Sequence, residues 1–151
     1  MEERSIIQEV LDSFREIKRG SYQLLSSQAD QQGITAIQYM TLRAIIKHPN
    51  IGITELAERM KLGNSTVSGI IDRLVKAGMV ERTRSETDRR SVILCVTEKG
   101  REAEFQIEMK YTEAVSGILD IGEDDLRQML STHRRIIEIF DKMREGAIDE
   151  Q

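Results

Sequence analysis

Apolar residues recur at helical spacing near both ends of the chain. Within residues 5–30, steps of three and four positions separate the members of what we call the N-terminal stripe: Ile7, Val10, Phe14, Ile17, Ser21 and Leu24. The same steps separate the members of the C-terminal stripe: Leu126, Met129, His133, Ile136, Phe140 and Met143. Residues spaced in this way lie along one side of an α-helix. The pattern therefore predicts two long terminal helices, each with a face that another helix must cover.

The middle of the chain shows shorter helical patterns with recognisable start and stop signals. The capping box "TAIQ" at 35–38 opens a helix that Pro49 ends. "ITELAERM" at 53–60 predicts a short helix. After the turn "KLG", Asn64 is expected to cap another helix, which Gly78 terminates. Two short helices joined by so brief a turn are typical of a helix-turn-helix.

Beyond Gly78 the apolar period changes from that of a helix to that of a strand. "MVERTR" predicts a strand, "SETDRR" at 85–90 a polar loop, and "SVILCV" the returning strand. Thr97 is expected to cap a long helix over about 98–119, and the acidic run at 123–125 suits the first turn of the last helix. The element order predicts a mainly α protein with a small β-hairpin. A hairpin directly after a helix-turn-helix is a winged helix.

The helix expected after Asn64 has two contrasting faces. Its inner face is apolar and comprises Val67, Ile70, Ile71, Leu74 and Val75. Small side chains on the opposite face let a helix approach base edges closely, and Arg73 and Lys76 suit phosphates or a guanine edge. An ordinary solvated face is the alternative, although serine and glycine lower helix propensity without another reason to be there. The predicted DNA contacts of this helix are Asn64, Ser65, Thr66, Ser68, Gly69, Arg73 and Lys76.

The hairpin carries arginines to its exposed tip. With the preceding helix in the major groove, a hairpin one strand-length away reaches the flanking minor groove, where arginine reads the narrowness of the groove. Asp88 is predicted to hold an arginine guanidinium in bidentate geometry before binding. The alternative is a solvated turn with a surface ion pair of little value. The predicted DNA contacts of the wing are Arg84, Asp88, Arg89 and Arg90.

Charge is distributed unevenly along this acidic chain, whose formal net charge is −4. Residues 1–49 carry six basic and six acidic side chains, residues 50–100 nine and seven, and residues 101–151 seven and thirteen. Within 59–90, eight lysines and arginines face four acidic residues. A polyanion is attracted to that segment and repelled elsewhere, which favours a single docking face.

The composition narrows the class of protein further. The 151 residues, 39% hydrophobic and 32% charged, are typical of a folded globular domain. No apolar run approaches the ~18 residues that a membrane span needs, and the start "MEERSIIQEV" lacks the features of a secretion signal. We expect a cytoplasmic protein with no membrane partner.

Few residues could support catalysis or bind a metal. One cysteine excludes an internal disulfide, and two histidines far from it make no zinc site. Cys95 is expected to be a small core residue, with a redox switch as the alternative. There is no Ser/His/Asp arrangement, phosphate-cradling glycine loop or paired carboxylate outside helix caps. We therefore expect that the protein is not an enzyme and that it binds neither a cofactor nor a metal.

The two stripes flank a DNA-binding lobe that is too small to cover both of them. Pairing two copies of the chain would bury the stripes together, which predicts a homodimer. The predicted interface comprises Ile7, Val10, Phe14, Ile17, Leu126, Met129, His133, Ile136, Phe140 and Met143. The expected organisation is a winged helix-turn-helix lobe at 35–100, with its helix-turn-helix at about 53–77 and its wing at about 80–96, and dimerisation helices at 1–32 and 101–151.

Residues 53–100 resemble the MarR family of transcriptional regulators. The stretch is "ITELAERMKLGNSTVSGIIDRLVKAGMVERTRSETDRRSVILCVTEKG". The Asp-x-Arg of the family's wing falls on Asp88 and Arg90, and "TEKG" at 97–100 follows where the family has it. The resemblance implies a homodimer on a pseudo-palindromic site, usually a repressor relieved by a small ligand, with Arg90 in the minor groove.

The sequence identifies neither a small-molecule effector nor the pocket that would bind it. Oxidant-sensing members of the family carry a cysteine in the first helix, and this chain has none before residue 95, so sensing of that type is not expected. A winged helix can also be a protein-interaction module without a DNA role. That function predicts an apolar or acidic exposed helix face, whereas this face carries hydroxyls, Arg73 and Lys76. Double-stranded DNA is therefore the expected partner.

Overall fold

The computed structural model of the chain describes residues 2–88 and 90–148. Its elements are α1 (Glu2–Gln31), α2 (Ala36–Lys47), α3 (Ile53–Met60), α4 (Asn64–Lys76), β1 (Val80–Arg84), β2 (Val92–Val96), α5 (Glu98–Ala114), a 3₁₀ turn (Ser116–Ile121) and α6 (Glu123–Ile148). The strands form an antiparallel hairpin in which Val80 lies opposite Val96. The predicted mainly α class with a small hairpin is confirmed. The chain forms two compact units, one ending at Glu113 and one beginning at Ala114.

Local capping signals decide where the short helices begin and end. The box at α2 is confirmed, since Thr35 Oγ1 accepts a hydrogen bond from the Gln38 amide and Gln38 Oε1 accepts one from the Thr35 amide. Gly78 takes the expected left-handed conformation, with φ +72°. The prediction that Asn64 caps α4 is wrong. The cap position belongs to Gly63, and no side chain caps the helix, because Lys61 turns the chain with φ +54° and α4 starts at Asn64.

Helix α5 is shorter than the predicted span of 98–119. It ends at Ala114, and residues 116–121 tighten into the 3₁₀ turn. The sequence there, Val115-Ser116-Gly117, combines three residues of modest or low helix propensity, which explains the break. Ile118, expected on the inner side of a continuous helix, is half exposed instead.

The core of the first unit surrounds α2. Its fully buried side chains include Tyr39, Leu42, Ile51, Leu56, Val67, Ile71, Leu74, Val80, Leu94 and Ile107. Burying one leucine or isoleucine of this kind contributes about 1.5–3 kcal/mol. This core holds α4 and the hairpin at fixed positions on a common scaffold.

Cys95 departs from its expected place in that core. Leu94 and Val96 are buried, and strand alternation turns Cys95 to the other face of the hairpin, where it is half-buried. Its sulfur lies 3.6 Å from Thr83 Oγ1 on β1.

Polar contacts tie α5 to the first two helices. The Tyr39 hydroxyl donates to Glu108, and Arg43 Nη1 lies 2.6 Å from the same carboxylate. Ser21 and Tyr111 join α1 to α5 through their hydroxyls, which are 2.5 Å apart. Burial, and then the hydrogen bond to Glu108, raises the pKa of Tyr39, so this hydroxyl keeps its proton. Helix α5 is thus anchored to α1 and α2.

Candidate nucleic-acid interface

Helix α4 presents one apolar and one polar face, as the sequence predicts. Val67, Ile70, Ile71 and Leu74 are buried, which fixes the rotation of the helix on the core. The opposite face is exposed at Asn64, Ser65, Thr66, Gly69, Asp72, Arg73 and Lys76. Ser68 is half-buried at the edge of this face. The structure therefore brings the predicted contact residues of α4 together on one solvent-facing surface.

No side chain caps the first turn of α4. The helix begins behind Gly63, and the Val67 amide is the donor that closes onto the Gly63 carbonyl. The amides before it carry the positive end of the helix dipole and suit an anionic oxygen such as that of a phosphate.

The wing projects beyond the core on two short strands. Arg84 ends β1 opposite Val92, and both residues are exposed. The loop between the strands closes through the Ser85 amide, which donates to the Ser91 carbonyl at 2.9 Å. Arg90 lies in this loop with an exposed side chain. Arg89, which was also predicted to contact DNA, lies outside the described residues.

Asp88 does not hold a guanidinium, and that prediction is corrected. Its carboxylate accepts hydrogen bonds from the Arg90 amide at 3.0 Å and from the Ser91 hydroxyl at 2.7 Å. A short side chain reaches the backbone two residues ahead more readily than a long arginine folds back onto it. These two hydrogen bonds, that of Ser91 first, lower the pKa of Asp88. Asp88 therefore shapes the backbone of the wing tip.

The wing is joined directly to α4 by an ion pair that the sequence analysis missed. Arg82 Nη2 on β1 lies 2.5 Å from Asp72 Oδ1, on the exposed face of α4. Residues ten positions apart meet because Gly78 reverses the chain between them. No local pattern in the sequence points from Asp72 to a partner on the strand. The pair neutralises one acidic residue of the α4 face and leaves Arg73 and Lys76 exposed.

The two stripes are considered separately, since α1 and α6 belong to different units. On α1, Ile7 and Ile17 are 59% and 61% exposed, while Val10 and Phe14 are half-buried. On α6, Met129, Phe140 and Met143 are exposed, and Leu126, His133 and Ile136 are half-buried. Isolated apolar side chains on a surface are ordinary, but rows of them mark interaction faces.

None of the helices among the described residues is long and apolar enough to span a bilayer.

The chain is similar in sequence to several transcription regulators. The model of the MarR family matches residues 34–92. The transcriptional repressor MdtR of Bacillus subtilis is 32% identical over 88 residues, covering 58% of this chain and 52% of that protein. The chain thus aligns with about half the length of this relative. The organic hydroperoxide resistance transcriptional regulator of the same species is 28% identical over 112 residues, covering 72% and 74%.

Solved structures extend the similarity over almost the whole fold. Staphylococcus aureus MarR, in complex with salicylate and kanamycin, has a TM-score of 0.78 and 25% identity, covering 91% of this chain and 93% of that one. The fold and the exposed helix with its wing define a winged-helix transcription regulator, and such regulators are not enzymes. The chain resembles the MarR family in the sequence of residues 34–92 and in its fold.

Proposed function

We propose that the chain acts as a homodimeric repressor on a pseudo-palindromic operator, with α4 in the major groove and Arg90 in the flanking minor groove. The observation that carries this proposal is the continuous exposed surface of α4 and the wing. Within this surface Asp72 is paired with Arg82, whereas Arg73, Lys76 and Arg84 are exposed. Such a surface attracts a polyanion although the chain as a whole is acidic.

The composition of the α4 face supports direct reading of bases. Ser65 and Thr66 are exposed in the first turn, and Gly69, one turn on, has open space around it. Small side chains permit a close approach to the groove floor, and hydroxyl groups bond to bases or phosphates. Arg73 and Lys76, on the following turn, then reach the phosphate backbone or a guanine edge.

The wing supports the minor-groove role of Arg90. The Asp88 carboxylate accepts hydrogen bonds from the Arg90 amide and the Ser91 hydroxyl, while no carboxylate of the described residues forms a salt bridge with the Arg90 guanidinium. A loop whose backbone is already ordered loses less conformational entropy on binding. The guanidinium is available for a narrow groove with strong negative potential.

The exposed stripes support the homodimer. A second copy offers the same rows of apolar side chains, so two copies can pair about a two-fold axis and cover both. The dimer would place two copies of α4 against half-sites about one helical turn apart, roughly 10 base pairs from centre to centre. The dimerisation helices are then 1–32 and 101–151, and the DNA-binding lobe is 35–100.

Control by a small-molecule effector completes the proposal. Staphylococcus aureus MarR has been solved with salicylate, and MdtR is named a repressor. We propose that this chain likewise releases its operator when a small ligand binds, in the cytoplasm where the chromosome lies.

Selection of bound sequences from a random DNA pool tests the proposed function, followed by titration of the selected site. We expect Arg90→Ala to weaken specific binding by about 1–3 kcal/mol while leaving the oligomeric state unchanged. Arg135→Ala is the matched control, because it removes the same charge from α6 on the side opposite the C-terminal stripe. Unchanged affinity in Arg90→Ala would exclude the wing contact. A footprint of one half-site would contradict the dimer.

A further inference from the structure

Three consecutive carbonyls at the end of α4 accept hydrogen bonds from the start of α5. Lys99 Nζ donates to the Ala77 carbonyl at 2.8 Å, and the Thr97 hydroxyl donates to the Gly78 carbonyl at 2.7 Å. The Thr97 amide donates to the Met79 carbonyl at 3.0 Å. The carbonyls at a helix end have no partner inside the helix, so Ala77 at the C-cap of α4 needs an outside donor. The bond to Met79 continues the pairing of the hairpin, in which Val80 lies opposite Val96. Here all the donors come from residues 97–99.

Thr97 serves both helices at once. Its hydroxyl oxygen accepts a hydrogen bond from the Gly100 amide at 3.2 Å, which caps α5, while its proton goes to the Gly78 carbonyl. The side chain of an N-cap residue normally bonds only to backbone amides in the first turn of its own helix. One hydroxyl therefore links the glycine that follows the C-cap of α4 to the first turn of α5.

Gly100 allows the two backbones to touch. A Cβ at this position would lie 2.2 Å from the Met79 carbonyl oxygen and 2.7 Å from Val96 Cγ1. Backbone contact of this kind leaves no flexible side chain to absorb a change of angle. Thr97, Lys99 and Gly100 together are called the 97–100 joint.

The far part of α5 is held as well. Glu108 bonds to Tyr39 and Arg43 on α2, and Tyr111 bonds to Ser21 on α1. Helix α5 therefore runs from the helices that carry the N-terminal stripe and the core to the end of α4, with polar bonds at both places. The 97–100 joint adds polar and backbone contacts to the apolar packing that already holds α4 on this frame.

We propose that the 97–100 joint sets the angle between α4 and α5 and thereby determines the half-site spacing that the protein accepts. This inference rests on the proposed function, because spacing matters only when two copies bind two half-sites. Thr97 and Lys99 are positioning residues, since they act on DNA through α4.

The test compares variants on operators whose spacer is the preferred length or is changed by one base pair. Thr97→Val keeps the shape of the side chain and removes both hydroxyl bonds. We expect its preference for the correct spacer over the altered ones to fall about tenfold. Thr97→Ser keeps the hydroxyl and is expected to restore the preference.

Thr35→Val is the matched control for loss of an N-cap hydroxyl. It removes the cap of α2 but has no bond to α4. We expect a similar drop in melting temperature with an unchanged spacer preference. Equal loss of preference in the two variants would overturn the proposal, since it would reflect stability alone.

Lys99→Met is a second variant, which loses one exposed bond and keeps the fold. We expect a smaller loss of spacer preference in this variant, and none in Lys47→Met, which removes the same charge from α2. A preference unchanged in both Lys99→Met and Thr97→Val would overturn the proposal.

A measurement without DNA separates failure of the joint from failure of the proposed function. Spin labels at Ser65→Cys on α4 and Glu113→Cys on α5, in a Cys95→Ser background, report the distance between these helices. Labelled protein is diluted with unlabelled protein so that one protomer is observed. We expect Thr97→Val to broaden the distance distribution. If the unchanged protein selects no DNA sequence from the random pool, the proposed function is refuted. If Thr97→Val leaves the distance distribution as narrow as in the unchanged protein, the proposed role of the joint is refuted.

Discussion

At the scale of single residues, small groups at the wing and on α4 decide what the surface can do. The two carboxylate oxygens of Asp88 accept hydrogen bonds from the backbone amide of Arg90 and the hydroxyl of Ser91. Gly69 leaves open space at the middle of the exposed α4 face. Neither residue contributes to the core, so both positions can be altered without disturbing its packing.

Replacing Gly69 by alanine separates stability from binding. Alanine is the better helix former, and nothing lies within 4 Å of the added Cβ, so we expect the free energy of unfolding to rise by about 0.5–1 kcal/mol. The methyl group holds the helix away from the groove, and we expect affinity for the operator to fall about tenfold. Chemical denaturation and DNA titration measure the two effects.

Gly146→Ala on α6 is the control for this substitution. Its Cβ also meets open space, so the change is expected to stabilise the helix slightly and leave DNA binding unchanged. Improved affinity in Gly69→Ala would show that α4 does not approach DNA closely at this position.

Acid is expected to loosen the wing tip through Asp88. The pKa of this carboxyl is lowered in the folded protein. Its stabilising contribution is therefore complete above the ordinary pKa of aspartate and is lost as the pH falls through the lowered value. NMR titration of the Ser91 and Arg90 amide signals measures this. Asp88→Asn keeps an acceptor oxygen but does not titrate, so an identical acid transition in that variant would assign the effect to another group.

At the scale of elements, the hairpin and α4 behave as one reading head because Arg82 pairs with Asp72. Arg82 is about a third exposed and Asp72 is well exposed, so water screens their attraction. The ion pair therefore adds little stability, and its main effect is to hold the wing in a fixed position beside α4.

A double-mutant cycle of Arg82→Ala and Asp72→Ala tests this coupling. We expect an interaction of roughly 0.2–1 kcal/mol in the free energy of unfolding. Arg82→Ala is also expected to weaken DNA binding, because the wing is no longer held in register with α4. We expect the loss in binding free energy to exceed the coupling energy measured in unfolding. Additive effects of the two substitutions on both stability and affinity would contradict a functional link.

The prediction from sequence succeeded where a strong local signal marks a helix end and failed at two other helix boundaries. Thr35 with Gln38, and Gly78, mark helix ends through contacts within a few residues, and both were predicted correctly. The Asn64 cap failed because the turn at Lys61 determines which residue starts α4. The span of α5 failed because the apolar spacing continues past Ala114, although the residues at 115–117 favour a break.

At the scale of the whole molecule, the rows of exposed apolar side chains on α1 and α6 call for a partner. Phe140→Asp places a carboxylate in the C-terminal stripe, and burying it in an interface costs several kcal/mol. We expect the variant to sediment as a monomer and to lose operator binding. Ser131→Asp adds the same group to α6 on the side opposite the stripe and is expected to remain dimeric. A dimeric Phe140→Asp protein would remove this stripe from the interface.

The order of the elements, the polar face of α4 and the exposed position of the wing arginines follow from the sequence alone. Apolar period, capping residues and glycine placement act over a few positions, and a single chain displays them directly. The tertiary structure decided the pairing of Asp72 with Arg82, the bond from Tyr39 to Glu108 and the contact of Thr97 with the end of α4. These contacts join residues 10, 69 and 19 positions apart. They form only when the core has fixed each helix, because no local pattern specifies which distant polar group will lie opposite.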